Sequence, residues 1–174
     1  MPEPSKPAAR ERILEDVRQN PGSSARDVQR RLGLGWGDTA YQLDRLSRAE
    51  EIRRERGGWR DYYFPKEMVW ADRRTLQALR SPAQRTLLLA ITESPGSTFT
   101  ELVDHTGFAR STVSFHLRKL VDLQLVSPMQ TGVESRFMVK EPERLRSLLT
   151  NYASSLRDEL VDRFVEAFGG LISD

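Results

Sequence analysis

The segment Gly107–Leu120 carries the side chains with the clearest chemical potential in this chain. Apolar residues recur in it at helical spacing, with Val113, Leu117 and Leu120 on one face. Guanidinium and ammonium groups bind phosphate oxygens and guanine, hydroxyls bind phosphate or base edges, and an aromatic ring can meet a thymine methyl group. The residues off the apolar stripe are therefore candidate DNA contacts: Arg110, Ser111, Thr112, Ser114, Phe115, Arg118 and Lys119.

Other kinds of chemistry find little support among the residues. Cysteine is absent and only two histidines occur, His105 and His116. This excludes thiolate chemistry and leaves too few imidazoles for a histidine-rich metal site. No Gly-rich phosphate loop, paired histidine and carboxylate motif or nucleophile signature is found. We therefore expect no catalytic residues, no metal and no cofactor, and we do not expect an enzyme.

Composition predicts a globular chain. Of 174 residues, 38% are hydrophobic and 30% are charged, which suits one mid-sized domain or two small ones. No apolar run approaches the ~20 residues of a membrane span, and the first residues lack the apolar region of a secretory signal. We expect a cytoplasmic protein without membrane contact.

The net charge is only +2, but 23 of the 27 basic residues are arginine, which suits binding to phosphate and guanine.

An internal repeat organises the chain. A shift of 74 residues places Asn20–Ser24 on Ser94–Thr98 and Tyr41–Leu46 on Phe115–Leu120 without a gap. Both copies show a helical stripe, then Pro-Gly, then a Ser or Thr followed three residues later by an acid, which is the capping-box pattern of a second helix. That helix ends at Gly33 or Gly107, and a third helix begins three residues on.

A short β-hairpin follows the third helix in each copy. Gly57-Gly58 between β-rich runs predicts a two-residue turn in the first hairpin, and a loop through Thr131-Gly132 predicts the second. At Ser81, a Ser cap with Pro82 and Gln84 predicts the start of another helix. The predicted fold is mainly α with small β-hairpin wings. Two winged helix-turn-helix domains, 10–65 and 82–140, are joined by a connecting helix, 66–81, and followed by a long C-terminal helix, 141–174.

These residues resemble a known family. Gly107–Leu120 is similar to the helix-turn-helix core of ArsR/MarR-type bacterial and archaeal transcription regulators. Leu34–Leu43, with a wing that ends at Tyr62–Pro65, resembles the leading domain of archaeal regulators that carry two winged helices in tandem. The resemblance implies double-stranded DNA as the partner, with third helices in the major groove and wings on the backbone or minor groove. The Cys and His clusters of ArsR metal sensors are missing, so metal sensing is not implied.

The first copy supplies a second set of candidate DNA contacts. On its third helix the positions off the apolar stripe include Thr39, Tyr41, Gln42 and Arg45, although Asp38 near the helix start would repel phosphate. On its wing, strand alternation places Arg54 and Arg56 on one face, and Arg60 returns across the turn. These arginines are expected to bind phosphates or enter the minor groove, unless they pair with Glu55 and Asp61.

The C-terminal segment is expected to form a homodimer. Apolar residues recur along it at an average spacing of about four, at Leu145, Leu149, Tyr152, Leu156, Leu160, Phe164 and Phe168. A long exposed apolar stripe is rare in soluble monomers, and pairing with the same helix of a second chain would cover it. The alternative is that the helix folds back between the two domains of its own chain.

Two functions remain open from the sequence. The first is a transcriptional regulator that binds double-stranded DNA as a homodimer, favoured by Arg110, Lys119 and the Arg-rich first wing. The second is a winged-helix scaffold that contacts proteins of the transcription or chromosome machinery and binds DNA weakly. The near-neutral net charge and Asp38 favour this scaffold.

Overall fold

The structure, a computed structural model, describes residues 8–156. The chain divides into two compact units, Met1–Arg73 and Arg74–Asp174, here called unit 1 and unit 2. Helix α4 (Trp70–Leu79) contains the boundary between them. Within residues 8–156 no helix is both long enough and apolar enough to cross a membrane.

Unit 1 is a three-helix core with a two-stranded hairpin. Its elements are α1 (Ala9–Gln19), α2 (Ala25–Leu32), α3 (Trp36–Arg48), β1 (Ile52–Arg56) and β2 (Asp61–Pro65). The two strands pair antiparallel. One apolar cluster from all three helices and both strands forms the core, and its members are Ile13, Val17, Val28, Leu43, Leu46, Ile52 and Tyr63. This burial holds α3 and the hairpin, which we call the first wing, in place.

Unit 2 repeats this plan and extends it. Its elements are α5 (Pro82–Glu93), β3 (Ser97–Thr98), α6 (Phe99–Thr106), α7 (Arg110–Asp122), β4 (Val126–Thr131), β5 (Glu134–Val139), α8 (Pro142–Asn151) and α9 (Ala153–Leu156). The strands form an antiparallel sheet in the order β3-β5-β4, of which β4 and β5 form the second wing. The short strand β3 was not expected from the sequence.

The two copies agree at the level of individual bonds. A capping box joins Ser24 and Asp27 at the start of α2, and another joins Thr98 and Glu101 at the start of α6. Both helices end at a glycine in the left-handed conformation, Gly33 (φ 63°) and Gly107 (φ 68°). A side chain at either position would be strained, so these glycines fix the turn between the second and third helices. The predicted repeat is confirmed.

The strands keep the same alignment in both copies because the same bonds anchor them. The Gly22 amide donates to the Tyr63 carbonyl at 2.8 Å, and the Gly96 amide donates to the Phe137 carbonyl at 2.9 Å. At the other strand, the amides of Glu51 and Leu125 donate to the last turn of the preceding helix. Both hairpins are thus fixed at their bases by the helical core.

The predicted turn of the first wing is wrong by one residue. The Gly57 amide donates to the Arg60 carbonyl at 2.9 Å, so the tip consists of Gly58 and Trp59, not Gly57 and Gly58. Gly58 has a φ of 79°, the left-handed conformation that glycine adopts without strain. The second wing has the equivalent tip, Gly132-Val133, between the paired residues Thr131 and Glu134.

The start of α5 also differs from the prediction. Ser81 precedes the helix and Pro82 opens it, as expected, but the Ser81 side chain makes no capping bond. Gln84 is buried with its side-chain oxygen lacking a hydrogen-bond partner among the described residues, so no capping box forms here. In the connecting helix α4, Leu76 and Leu79 are buried, whereas Trp70 is 57% exposed.

The C-terminal segment does not continue as one long helix through the described residues. Helix α8 ends at Asn151, Tyr152 leaves the helical conformation (φ −119°, ψ 19°), and α9 begins at Ala153. Leu145, Leu149 and Leu156 are buried within unit 2. They therefore cannot supply the exposed face that the dimer prediction assigned to them. Leu160, Phe164 and Phe168 lie outside the described residues.

Candidate nucleic-acid interface

Helix α7 presents most of the predicted side chains on one exposed face. Val113, Leu117 and Leu120 are buried in the core of unit 2. Because helical residues three and four apart share a face, this burial turns the remaining positions outward. The exposed residues are Arg110, Ser111, Ser114, Phe115, Arg118 and Lys119, and Thr112 is half-buried. The exposed members of the predicted set thus form a surface that joins three positive charges, two hydroxyls and an aromatic ring.

The start of α7 is held by its neighbour α6. The left-handed turn at Gly107 separates the two helices by only a few residues. The Arg110 guanidinium lies 4.9 Å from the centre of the Phe99 ring, at the first turn of α6. A cation over an aromatic face is attracted by the electrons of the ring, so this contact limits the positions that Arg110 adopts. Arg110 is thereby placed at the end of α7 that reaches base edges in helix-turn-helix proteins.

An aromatic ring and a cation are stacked one turn apart on each third helix. Lys119 Nζ lies 4.4 Å from the centre of the Phe115 ring, and the Arg45 guanidinium lies 5.7 Å from the Tyr41 ring. These four residues occupy equivalent positions of the repeat. Phe115 and Tyr41 are both 57% exposed. The pairing therefore positions a positive charge on the surface of each helix.

His116 has a structural surrounding. Its ring packs edge-on against Phe115 with the ring centres 5.0 Å apart. Burial, and then the positive charge of Lys119, lower the pKa of His116 below its usual value. The ring is consequently neutral around pH 7 and adds no charge to the surface of α7.

One predicted contact of unit 1 is wrong. Thr39 is 0% exposed, and its hydroxyl donates to the Gly35 carbonyl at 2.9 Å. It occupies the position of the buried Val113 in the repeat, so it belongs to the core and cannot reach DNA. That equivalence was available in the sequence. Arg45 is exposed and Gln42 is half-buried.

The predicted arginines of the first wing have different surroundings. Arg54 lies between two carboxylates, with its guanidinium 3.5 Å from Asp61 and 3.8 Å from Asp44. Its charge is thus already compensated within unit 1. Arg56 is exposed, and Arg60 lies beside the tip with its guanidinium 4.1 Å from the Trp59 ring. The pairing of Arg54 with Asp44 of α3 was not visible in the strand alternation.

The two wings carry different surfaces. The second wing exposes three apolar side chains, Met129, Met138 and Val133 at its tip. Its one arginine, Arg136, donates to the Gly96 carbonyl at 2.8 Å. The Arg-rich character predicted for the first wing therefore has no counterpart in the second. No cluster of three or more histidine and carboxylate side chains in residues 8–156 is arranged to hold a metal ion.

Sequence reasoning missed a groove in unit 1. An open groove of about 1110 Å³ lies between α2, α3 and the first wing, and Trp36 and Trp59 both line it. Trp36 is 51% exposed and Trp59 is 83% exposed. The available signal was two tryptophans beside glycines, Trp36 between Gly35 and Gly37 and Trp59 directly after Gly57-Gly58. Their approach across the groove depends on the hairpin alignment, which the sequence did not reveal.

The fold and this surface define a protein with two tandem winged helix-turn-helix domains. Two family models match the chain. One, described as an N-terminal HTH domain, matches residues 7–76, and the other, described as bacterial regulatory protein, arsR family, matches residues 81–127. A comparison with curated proteins finds no match. The two HTH domains identify the chain as a DNA-binding transcription regulator.

Proposed function

We propose that this protein regulates transcription as a homodimer that binds double-stranded DNA, with α7 in the major groove and the wings on the backbone or minor groove. The observation that carries the proposal is the exposed face of α7. Its basic, hydroxyl and aromatic side chains match the groups that base edges and phosphates offer. A helix fits the major groove, where each base pair presents a distinct pattern.

The residues of α7 have separate roles in this proposal. Arg110, at the start of the helix, makes a two-pronged contact with guanine or holds a phosphate. Ser111 and Thr112 bond to phosphate or base edges beside it, and Ser114 does so one turn further on. Phe115 contacts a thymine methyl group, while Arg118 and Lys119 bind phosphates. The position of each side chain along α7, exposed except for the half-buried Thr112, supports these roles.

Unit 1 contributes a smaller set of contacts than the sequence suggested. Tyr41, Gln42 and Arg45 lie on or beside the exposed face of α3, and Arg56 and Arg60 lie on the first wing. The guanidinium groups of Arg56 and Arg60 reach the DNA phosphates or the narrow minor groove. These two arginines therefore add affinity for DNA without contacting base edges in the major groove. Arg54 is excluded since Asp44 and Asp61 already pair with it.

The homodimer depends on the end of the chain. The sequence from 160 to 168 contains the apolar residues Leu160, Val161, Phe164, Val165 and Phe168. Paired across a two-fold axis, they would place two copies of α7 on the two halves of a pseudo-palindrome. The second half-site is then bound at a high effective concentration, which raises affinity without new contacts.

Two substitutions in α7 test the proposal. Duplexes selected from a random pool supply the probe, and fluorescence anisotropy measures their affinity across a salt titration. We expect Arg110→Ala to weaken binding by about 1–3 kcal/mol if it contacts guanine. We expect Lys119→Ala to weaken it less and to reduce the salt slope by about one.

Lys140→Ala is the matched control. Lys140 is an exposed lysine of the same unit that follows β5 and is not among the residues assigned to DNA binding. If Arg110→Ala and Lys119→Ala bind every duplex as the wild type does, α7 is not the reading surface and the proposal fails.

A further inference from the structure

The groove of unit 1 has an aromatic residue on each side. Trp36 opens α3, and Trp59 lies at the tip of the first wing. Arg60 stacks on one face of the Trp59 ring, with its guanidinium 4.1 Å from the ring centre. Since Trp59 is 83% exposed, the rest of its surface is open to a further flat group.

The charges along the groove leave a positive surplus. Three aspartates line it, and each has an arginine partner: Asp27 pairs with Arg30 at 2.6 Å, and both Asp44 and Asp61 lie within 4 Å of Arg54. Two further arginines, Arg26 and Arg60, also line it. Within residues 8–156 neither of these two is paired with a carboxylate. The groove therefore attracts an anionic chain.

The adjoining end of α3 is poorly suited to reading a duplex. Its first turn consists of Trp36, Gly37 and Asp38. Trp36 is bulky, Gly37 has no side chain to contact a base, and the negative charge of Asp38 repels phosphate. In a duplex the flat faces of the bases are covered by their neighbours. Exposed aromatic rings can stack only on bases that are unpaired.

We propose that the groove between α3 and the first wing binds single-stranded DNA. Unpaired bases stack on Trp36 and Trp59, and Arg26 and Arg60 hold the phosphates. Alternating aromatic platforms and cations are the general means by which proteins bind single strands without strong sequence preference. This goes beyond the proposed duplex binding, which depends mainly on α7, and it would let the protein hold a strand of locally opened DNA.

The test uses the full chain and a fluorescent oligothymidylate of about 12 nucleotides, within the usual site size of a single-strand groove. Its affinity is measured by anisotropy for the wild type and for a variant with Trp36→Leu and Trp59→Leu. Leucine keeps apolar bulk but removes the stacking ring. We expect the double variant to bind at least about 30-fold more weakly, because it loses two base stacks.

Two further variants separate stacking from a loss of structure. Trp36→Phe with Trp59→Phe keeps two aromatic faces and should retain most of the affinity. Trp70→Leu removes an exposed tryptophan that does not line the groove, so it should leave the affinity for the oligonucleotide unchanged. If the leucine and phenylalanine variants both bind like the wild type, or if the wild type does not bind the oligonucleotide, the proposal is overturned.

Duplex and peptide probes complete the design. If duplex affinity falls as much as single-strand affinity in the leucine variant, the groove belongs to the duplex surface and the inference fails. If the wild type binds the oligonucleotide but no duplex, the proposed function fails and the inference stands. The peptide probe is a copolymer of glutamate and tyrosine. The proposal is overturned if this copolymer binds the wild type more tightly than the oligonucleotide does and binds the leucine variant more weakly. That result would assign the groove to an acidic protein.

Discussion

The ammonium nitrogen of Lys119 lies 4.4 Å from the centre of the Phe115 ring, one turn earlier on α7. Tyr41 and Arg45 are in the same relation on α3, at equivalent positions of the internal repeat. The lysine is held against an exposed ring and makes no ion pair within residues 8–156, so its charge remains available to DNA. Phe115 therefore supports Lys119, and in the proposed function it is also a contact surface for DNA.

We expect Phe115→Ala to weaken binding to a selected duplex by about 0.5–1 kcal/mol, through loss of the ring under Lys119 and of a thymine methyl contact. Anisotropy with two duplexes, one containing thymine and one containing uracil at the contacted position, separates these effects. The wild type should prefer thymine, and Phe115→Ala should lose that preference. An unchanged preference in the variant would show that another residue contacts the methyl group.

Arg56 and Arg54 of the first wing should behave differently when each is replaced. We expect Arg56→Gln to weaken all duplexes equally and to reduce the salt slope by about one, because it loses one phosphate contact. Arg54→Gln should leave duplex affinity nearly unchanged and lower the free energy of unfolding by about 0.5–1 kcal/mol, since Asp61 loses its ion pair and Asp44 keeps only the one with Arg48. Anisotropy and urea unfolding measure the two effects. The reverse result, binding loss for Arg54 alone, would contradict the ion pairing.

A two-pronged ion pair between α1 and α2 should be a major contributor to the stability of unit 1. Two nitrogens of Arg31 donate to the two carboxylate oxygens of the buried Asp16, at 2.8 and 2.7 Å. We expect Arg31→Ala to cost about 2–4 kcal/mol in urea unfolding because it leaves a buried charge without its partner, and the partial exposure of Arg31 moderates the loss.

Removing both partners should be far less costly. Unit 2 has Ala90 and His105 at the equivalent positions, so its fold does without the pair. We expect Asp16→Ala combined with Arg31→Leu to recover most of the stability lost by Arg31→Ala alone. Losses that simply add would indicate that the two residues act independently.

The capping box of α2 makes stability depend on pH. Burial alone would raise the pKa of Asp27, but the hydrogen bonds from Ser24 and the charge of Arg30 outweigh it and hold the pKa below 3.8. A carboxylate with a lowered folded-state pKa stabilises the protein above its unfolded pKa and loses this effect as pH falls through the folded value. Asp27→Asn should therefore cost about 1 kcal/mol near neutral pH, and less below about pH 4. Urea unfolding across this range measures the difference, and a constant difference at every pH would contradict it.

Self-association should depend on the residues after Leu156. We expect the full chain to sediment as a dimer at micromolar concentration and a chain that ends at Leu156 to sediment as a folded monomer. The cut is placed there because Leu145, Leu149 and Leu156 are buried in unit 2, and because Arg80 donates to the Ser155 carbonyl at 2.7 Å. A full chain that sediments as a monomer would eliminate the homodimer.

The sequence by itself determined those features that depend on near neighbours in the chain. The capping boxes at Ser24 and Thr98 and the left-handed turns at Gly33 and Gly107 involve residues at most a few positions apart. The apolar stripe of α7 follows from helical spacing alone, and so does the exposed face opposite it. These local rules placed both winged helices and the exposed face of α7 correctly.

Only the tertiary structure decided where side chains from distant elements meet. The tip of the first wing lies at Gly58-Trp59 because each strand is anchored at its base by another element, Tyr63 by Gly22 and Glu51 by Leu46. These two hydrogen bonds fix the register of the strands, so the register, rather than the turn preference of each residue, decides which residues form the tip. The same alignment brings Arg54 to Asp44 and Trp59 to the groove that Trp36 lines. In unit 2, the break at Tyr152 lets α9 bury Leu156 and bond to Arg80, so packing interrupted a helix that its spacing alone would have continued.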